Sequence, residues 1–167
     1  MKKRLIVLIC GLILLTLCGC QKEKTEFHEP VHFYYCNHAV SFNSAEGVIR
    51  SEIREAEHFS SNAEKMLREY LLGPQSEELV SPIPPSTQLV SFELQADSAR
   101  ITLSKPFADL NGIKLSTACS CIVKTLAEYV PITEVQIYAE DSLIDNKDFI
   151  VITVADIVLA DMVEQKG

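Results

Sequence analysis

Between residues 61 and 139 the apolar period of the chain runs helical, alternating, alternating, helical, alternating, and few architectures accept that order. Ser61-Asn62-Ala63-Glu64 reads as a capping box, in which the serine hydroxyl accepts from the third helical amide and the glutamate reaches back. Ala63, Met66, Leu67, Tyr70 and Leu71 then form one apolar stripe, Glu64 and Arg68 make an i, i+4 pair, and Gly73-Pro74 stops the element. The spacing predicts a first helix over about residues 62–72. Pro82-Ile83-Pro84-Pro85 imposes an extended loop. Gln88–Leu94 alternates with Val90, Phe92 and Leu94 on one face. Gln95-Ala96-Asp97-Ser98 turns the chain, and Ala99, Ile101 and Leu103 line the inner face of a returning strand. Residues 114–130 form a second helix. Leu115, Cys119, Ile122, Val123, Leu126 and Val130 fall within about 80° of arc on it, with Lys124 and Glu128 opposite. Pro131 ends that helix and Glu134–Tyr138 resumes a strand.

Outside this stretch the signals are shorter. Val31–Tyr35 is rich in strand formers. Gly47–Glu57 suits a strand with a charged outer face, although its glutamates also admit a helix. Phe149–Val154 is continuously apolar, as a buried strand would be, and Asp156–Val163 leans to a short helix. The expectation is a single α+β domain over residues 31–167. Its core is helix–strand–strand–helix–strand, with two helices on one face of a small mixed sheet and extra N- and C-terminal strands.

The first residues belong to another process. Lys2, Lys3 and Arg4 precede an uncharged apolar run, Leu5 to Leu17, that ends in Leu17-Cys18-Gly19-Cys20. The run is shorter than the roughly 20 residues a membrane span needs, and it has the layout of an export signal. A cysteine after Leu-x-Gly resembles the bacterial lipobox, in which that thiol is diacylated and becomes the new N-terminus. Two acyl chains hold a membrane stably where one holds marginally. Residues 1–19 therefore read as a lipoprotein signal peptide, Cys20 as the lipidation site, and residues 20–30, polar and without apolar period, as a tether. The expected location is the extracytoplasmic face of the cell membrane.

The signal carries three basic residues and no acidic ones, so the mature chain holds 12 Lys and Arg against 23 Asp and Glu, a net charge of about −11. Such a surface repels phosphate backbones, which argues against nucleic acid as a partner, and it leaves membrane binding to the acyl chains. Nothing resembles a phosphate-cradling loop, and no cofactor is expected.

Of six cysteines, Cys36, Cys119 and Cys121 remain beyond Cys20, an odd number that argues against a disulfide framework. Cys119-x-Cys121 lacks the two-residue spacing of a redox motif. The second helix puts Cys119 in the apolar stripe and Cys121 near Glu128, where it reads as a lone exposed thiol. His28, His32, Cys36 and His38 crowd together, but on a strand His32 and Cys36 stand about 13 Å apart. Zinc ligands converge to about 2 Å from one ion, so no metal is expected. There is no Gly-x-Ser-x-Gly elbow and no histidine after His58. Glu77-Glu78 and Glu140-Asp141 read as solvated loop charge. Ser104 and Thr87 read as turn and strand-end hydrogen-bonding residues.

Four motifs in order carry a resemblance. Leu71-Leu72-Gly73-Pro74, Ile83-Pro84-Pro85-Ser86-Thr87, Ile101-Thr102-Leu103-Ser104 with Phe107, and Val123-Lys124-Thr125-Leu126 resemble the GerMN (sporulation/spore germination) domain family over roughly Phe33 to Asp156. Pro85-Ser86 departs from the Lys/Glu-Gly common there, and Ala139-Glu140-Asp141 from an Asp-Gly turn. The resemblance implies a non-catalytic lipoprotein module of the cell envelope, one that binds envelope proteins or copies of itself. A small envelope hydrolase is the alternative, disfavoured by the missing nucleophile–base set. A solute-binding lipoprotein is another, disfavoured because 147 residues beyond Cys20 do not readily make two lobes.

Overall fold

The structure, a computed structural model, describes residues 30–37, 48–55, 59 and 62–157. Among the described residues seven strands form two sheets. The smaller contains β1 (Val31–Asn37), β2 (Ile49–Arg54) and β3 (Leu79–Val80), antiparallel in the order β2-β1-β3. The larger contains β4 (Leu89–Gln95), β5 (Ser98–Leu103), β6 (Glu134–Ala139) and β7 (Phe149–Thr153) in that order. Its β5–β6 pair is parallel and the other two are antiparallel, so the sheet is mixed. Among the described residues two longer α-helices, α1 (Ala63–Leu71) and α2 (Gly112–Tyr129), and a short 3₁₀ helix, Lys105–Asp109, accompany the sheets in an α+β domain.

Helix α1 buries Ala63, Met66, Leu67 and Tyr70, the stripe its spacing predicts, and pairs Arg68 with Glu64 at 2.7 Å. Its N-cap lies one residue later than the capping box implies. Asn62 Oδ1 accepts the Lys65 N–H at 2.9 Å; Ser61 lies outside the described residues. Gly73 adopts φ 96°, a left-handed backbone that ends the helix.

Helix α2 departs from a one-sided stripe. Leu115, Cys119, Ile122, Val123 and Leu126 are buried as expected, yet Ala118, Cys121 and Thr125 are fully buried as well. The helix lies between the two sheets. Leu115 and Cys119 face Ile150 and Ile152 of β7, while Thr125 Oγ1 accepts the backbone N–H of Tyr34 in β1 at 2.9 Å. Cys121, expected exposed, has no solvent-accessible surface, because what would be the outer face of the helix meets β1.

Two strands are oriented otherwise than their composition implies. In β2 two of the three charged residues point inward: the Glu52 and Arg54 side chains are 11% and 10% exposed, while Arg50 is exposed and Ile53 is 63% exposed. The reason is polar satisfaction. The Glu52 carboxylate accepts the backbone N–H groups of Gln75 and Ser76, each at 3.0 Å, and pairs with Arg54, which also donates to the Gly73 carbonyl and lies over the Phe33 ring. A buried charge so partnered avoids most of the desolvation penalty. β7, expected buried, is an end strand among the described residues: Ile150 and Ile152 turn inward, Phe149 and Val151 outward. The chain is helical again over 154–157, where Thr153 Oγ1 accepts the Asp156 N–H; the rest of the helix expected to Val163 lies outside the described residues.

The core joins Phe33 and Tyr35 of β1 to Tyr70 of α1, and Ala99, Ile101, Leu103, Val135 and Ile137 of the larger sheet to α2. Phe107 of the 3₁₀ helix is fully buried too.

Candidate interaction surface

The residues of the larger sheet that do not face α2 form a ladder readable from the register. Arg100, Gln136 and Val151 lie abreast, as do Thr102, Tyr138 and Phe149. The Arg100 guanidinium sits 5.6 Å above the Tyr138 ring, and Tyr138 stacks on Phe149 at 5.0 Å. Phe149 and Val151 are 39% and 46% exposed. Edge strand β4 adds Val90 and Leu94, both more than two-fifths exposed. Leu94 shares the inner face with Phe92 and Ala99 but sits at the uncovered end of the hairpin. Val90 falls at a register shift between Leu89 and Ser91, so Leu89 rather than Val90 reaches the core. Composition alone hides this surface, since a run of apolar residues in β7 looks like core.

The thiols take unexpected places. Cys36 is half-buried on β1 and Cys121 fully buried on α2, yet the two hydrogen-bond to each other. The Cys121 S–H donated to Cys36 lowers the Cys36 pKa; the same contact together with burial raises that of Cys121. Cys119, pushed up to about 12 by burial, is a small core hydrophobe, as expected.

His32 turns to Ser51, with Nδ1 and Oγ 3.1 Å apart; His28 and His38 lie outside the described residues. No three His, Cys, Asp or Glu side chains among the described residues converge as metal ligands. Ser104 Oγ accepts the Gln88 N–H at 2.9 Å, the strand-end role expected of it. Thr87 departs from expectation. Its backbone N–H closes a turn on Pro84, but its buried hydroxyl has no hydrogen-bond partner among the described residues. A cleft of about 610 Å³ beside β2 is lined by Ile53, Arg54, Glu55, Phe59, Lys65, Glu69 and Gln75, a lining of charged, polar and apolar side chains without a serine, threonine, cysteine or histidine among these residues. Among the described residues no helix is long and apolar enough to cross a membrane. Cys20, the expected lipidation site, and the signal before it lie outside the described residues.

Residues 33–145 match the Germane family, described as sporulation and spore germination. The chain belongs to that family. The Germane fold is shared with solved structures. The first GerMN domain of the sporulation protein GerM from Bacillus subtilis superposes with a TM-score of 0.55 at 14% identity, over 72% of this chain and 91% of that one. The tandem GerMN domains of the same protein give 0.52 at 15% identity, over 67% of this chain and 39% of the tandem chain. A candidate lipoprotein of Clostridium perfringens gives 0.47 at 18% identity, over 77% of this chain and 89% of that one. No curated protein matches the chain. The Germane assignment bears out the family resemblance carried by the four sequence motifs.

Proposed function

We propose that this Germane protein is a lipid-anchored, non-enzymatic module of the cell envelope that acts by binding another protein in spore formation or germination. The observation that carries the reading is the sheet β4-β5-β6-β7, with Phe149 and Val151 exposed on its outer face and both end strands carrying exposed apolar side chains. Unpaired strand edges and apolar patches bind other chains. The partner is an envelope protein of opposite charge or a second copy, met at high local density on the membrane. With a net charge of about −11 on the mature chain, copies repel one another within about 8 Å at physiological salt, which keeps the dilute protein monomeric. Anchoring rests on Cys20 and its Leu-x-Gly context. The reading without catalysis is supported by membership of the Germane family and by the lack of a Gly-x-Ser-x-Gly elbow in the sequence.

A photo-crosslinking side chain placed at Val151 in the full-length protein, expressed in its host, tests this. An adduct with an envelope protein or a second copy is expected at Val151, and none from a control at exposed Glu77. Equal labelling at both positions, or consistent turnover of a peptide, glycan or ester by the purified protein, would overturn it.

A further inference from the structure

We propose that Cys36 and Cys121 form a reversible intramolecular disulfide, made by exchange with a small-molecule disulfide or a dithiol–disulfide oxidoreductase outside the cytoplasm, that staples β1 to α2. Register places the pair. The Tyr34 N–H meets Thr125 Oγ1 at 2.9 Å. From that contact Cys36 is two residues along β1 and Cys121 is four residues back along α2. Two strand residues advance about 6.6 Å and four helical residues about 6 Å, so the second contact falls opposite the first. Tyr34 and Cys36 are on the same face of β1, the one that also carries Tyr34 to Lys124 and Glu128 of α2. The thiols hydrogen-bond across this seam and are free. The register sets the two residues side by side, and a bond closes where their sulfurs approach to about 2.05 Å with the dihedral of an ordinary disulfide.

The pair is asymmetric in the way exchange needs. Cys36 is reachable from solvent and its thiolate is favoured by the S–H donated from Cys121; Cys121 is enclosed and can meet only Cys36. The Cys36 thiolate attacks one sulfur of the donor disulfide, the donor S–S bond breaks, and one donor thiolate leaves and is protonated. Cys121 then gives up its proton and attacks the Cys36 sulfur, expelling the second donor thiolate. The protein loses two hydrogens with their electrons, and the donor is reduced to two thiols. Cys119, buried and facing β7, takes no part, which accounts for the odd thiol count. The closed loop spans about 85 residues and includes α1 and two of the four strands of the larger sheet, β4 and β5, so the crosslink removes much freedom from the unfolded chain. β1 is also the first of the described strands, so on the proposed anchoring at Cys20 oxidation fastens the strand nearest the anchor in sequence to the central helix.

The test uses full-length protein in detergent, incubated with graded ratios of reduced to oxidised glutathione, alkylated, and mapped by peptide mass. A Cys36–Cys121 crosslinked peptide is expected in the oxidising buffers, lost on return to reducing ones, with the melting temperature more than about 5 °C higher when oxidised. Cys119→Ser should keep that shift, and Cys121→Ser should leave Cys36 as a glutathione adduct. Wild-type protein that retains both thiols, carries only a glutathione adduct on Cys36, or links Cys36 to Cys119 would overturn the proposal without reference to any variant.

Discussion

Tyr35 and Tyr70 make a reciprocal contact between β1 and α1. Their rings stack at 4.9 Å, Tyr35 donates its hydroxyl to the Tyr70 carbonyl at 2.9 Å, and Tyr70 donates to the Tyr34 carbonyl at 3.0 Å. β1 and α1 are thereby locked through two phenols rather than by packing alone. Burial raises both phenol pKa values above the ordinary 10.0. The folded state thus holds these protons more tightly than the unfolded state. Their contribution is complete below about pH 10 and declines as pH climbs from there toward the raised folded values. Stability should therefore fall from about pH 10 upward, with the tyrosinate absorbance of these two residues appearing only as the domain unfolds. Titration of the wild type against Tyr35→Phe, followed at once by absorbance and circular dichroism, checks this. A second residue-scale case is the β4–β5 turn, where Ala96 takes φ 52°. A left-handed backbone costs a non-glycine residue about 1–2 kcal/mol, so Ala96→Gly should stabilise the domain by up to about 1 kcal/mol in urea titration, after the greater flexibility of unfolded glycine is deducted. At Asp145 and Asn146, φ 51° and 63°, the chain uses residue types that tolerate this conformation in place of glycine.

The decisive element is α2, whose neighbours on two sides turn an amphipathic helix into a nearly enclosed one. Thr125 shows what that requires: its hydroxyl, deep in the seam, satisfies the Tyr34 amide that no strand of the small sheet reaches. Thr125→Val keeps the shape and orphans that amide. It should cost about 1–3 kcal/mol and speed hydrogen exchange at Tyr34, both measurable on one labelled sample. Leu126→Asp should be far worse, placing an unpaired carboxylate at a fully buried position and unfolding the domain. Lys124, by contrast, sits half-buried with its ammonium 4.8 Å above the Tyr34 ring, so it is not the inert outer-face residue that helical arc alone implies. Truncating it to alanine should cost about 0.5–1 kcal/mol, the scale of one cation–π contact.

For the molecule as a whole, the proposed anchor and the acidic net charge carry the predictions. Cys20→Ala should abolish acyl labelling and leave the protein as uncleaved precursor or released from membranes; a wild type without acyl label on Cys20 would remove the basis for the anchor. The apolar outer ladder of the sheet and the acidic net charge pull in opposite directions. Raised salt should therefore weaken contact with a basic partner, and it should ease self-association.

The sequence by itself determined the local elements. Apolar period, proline, glycine and charge pairs act within a few residues, and they place both helices, the β4–β5 hairpin and β6 where the structure has them. The same local order carried the family motifs and the lipobox-like run that ends at Cys20. Tertiary structure decided which faces are covered. The splitting of the strands into two sheets, the inward Glu52 and Arg54, the outward Phe149 and Val151, and the meeting of Cys36 with Cys121 all depend on residues far apart in the chain. A side chain's burial is set by what packs against it, and for α2 and β7 that neighbour is supplied, or withheld, by segments the local pattern does not contain.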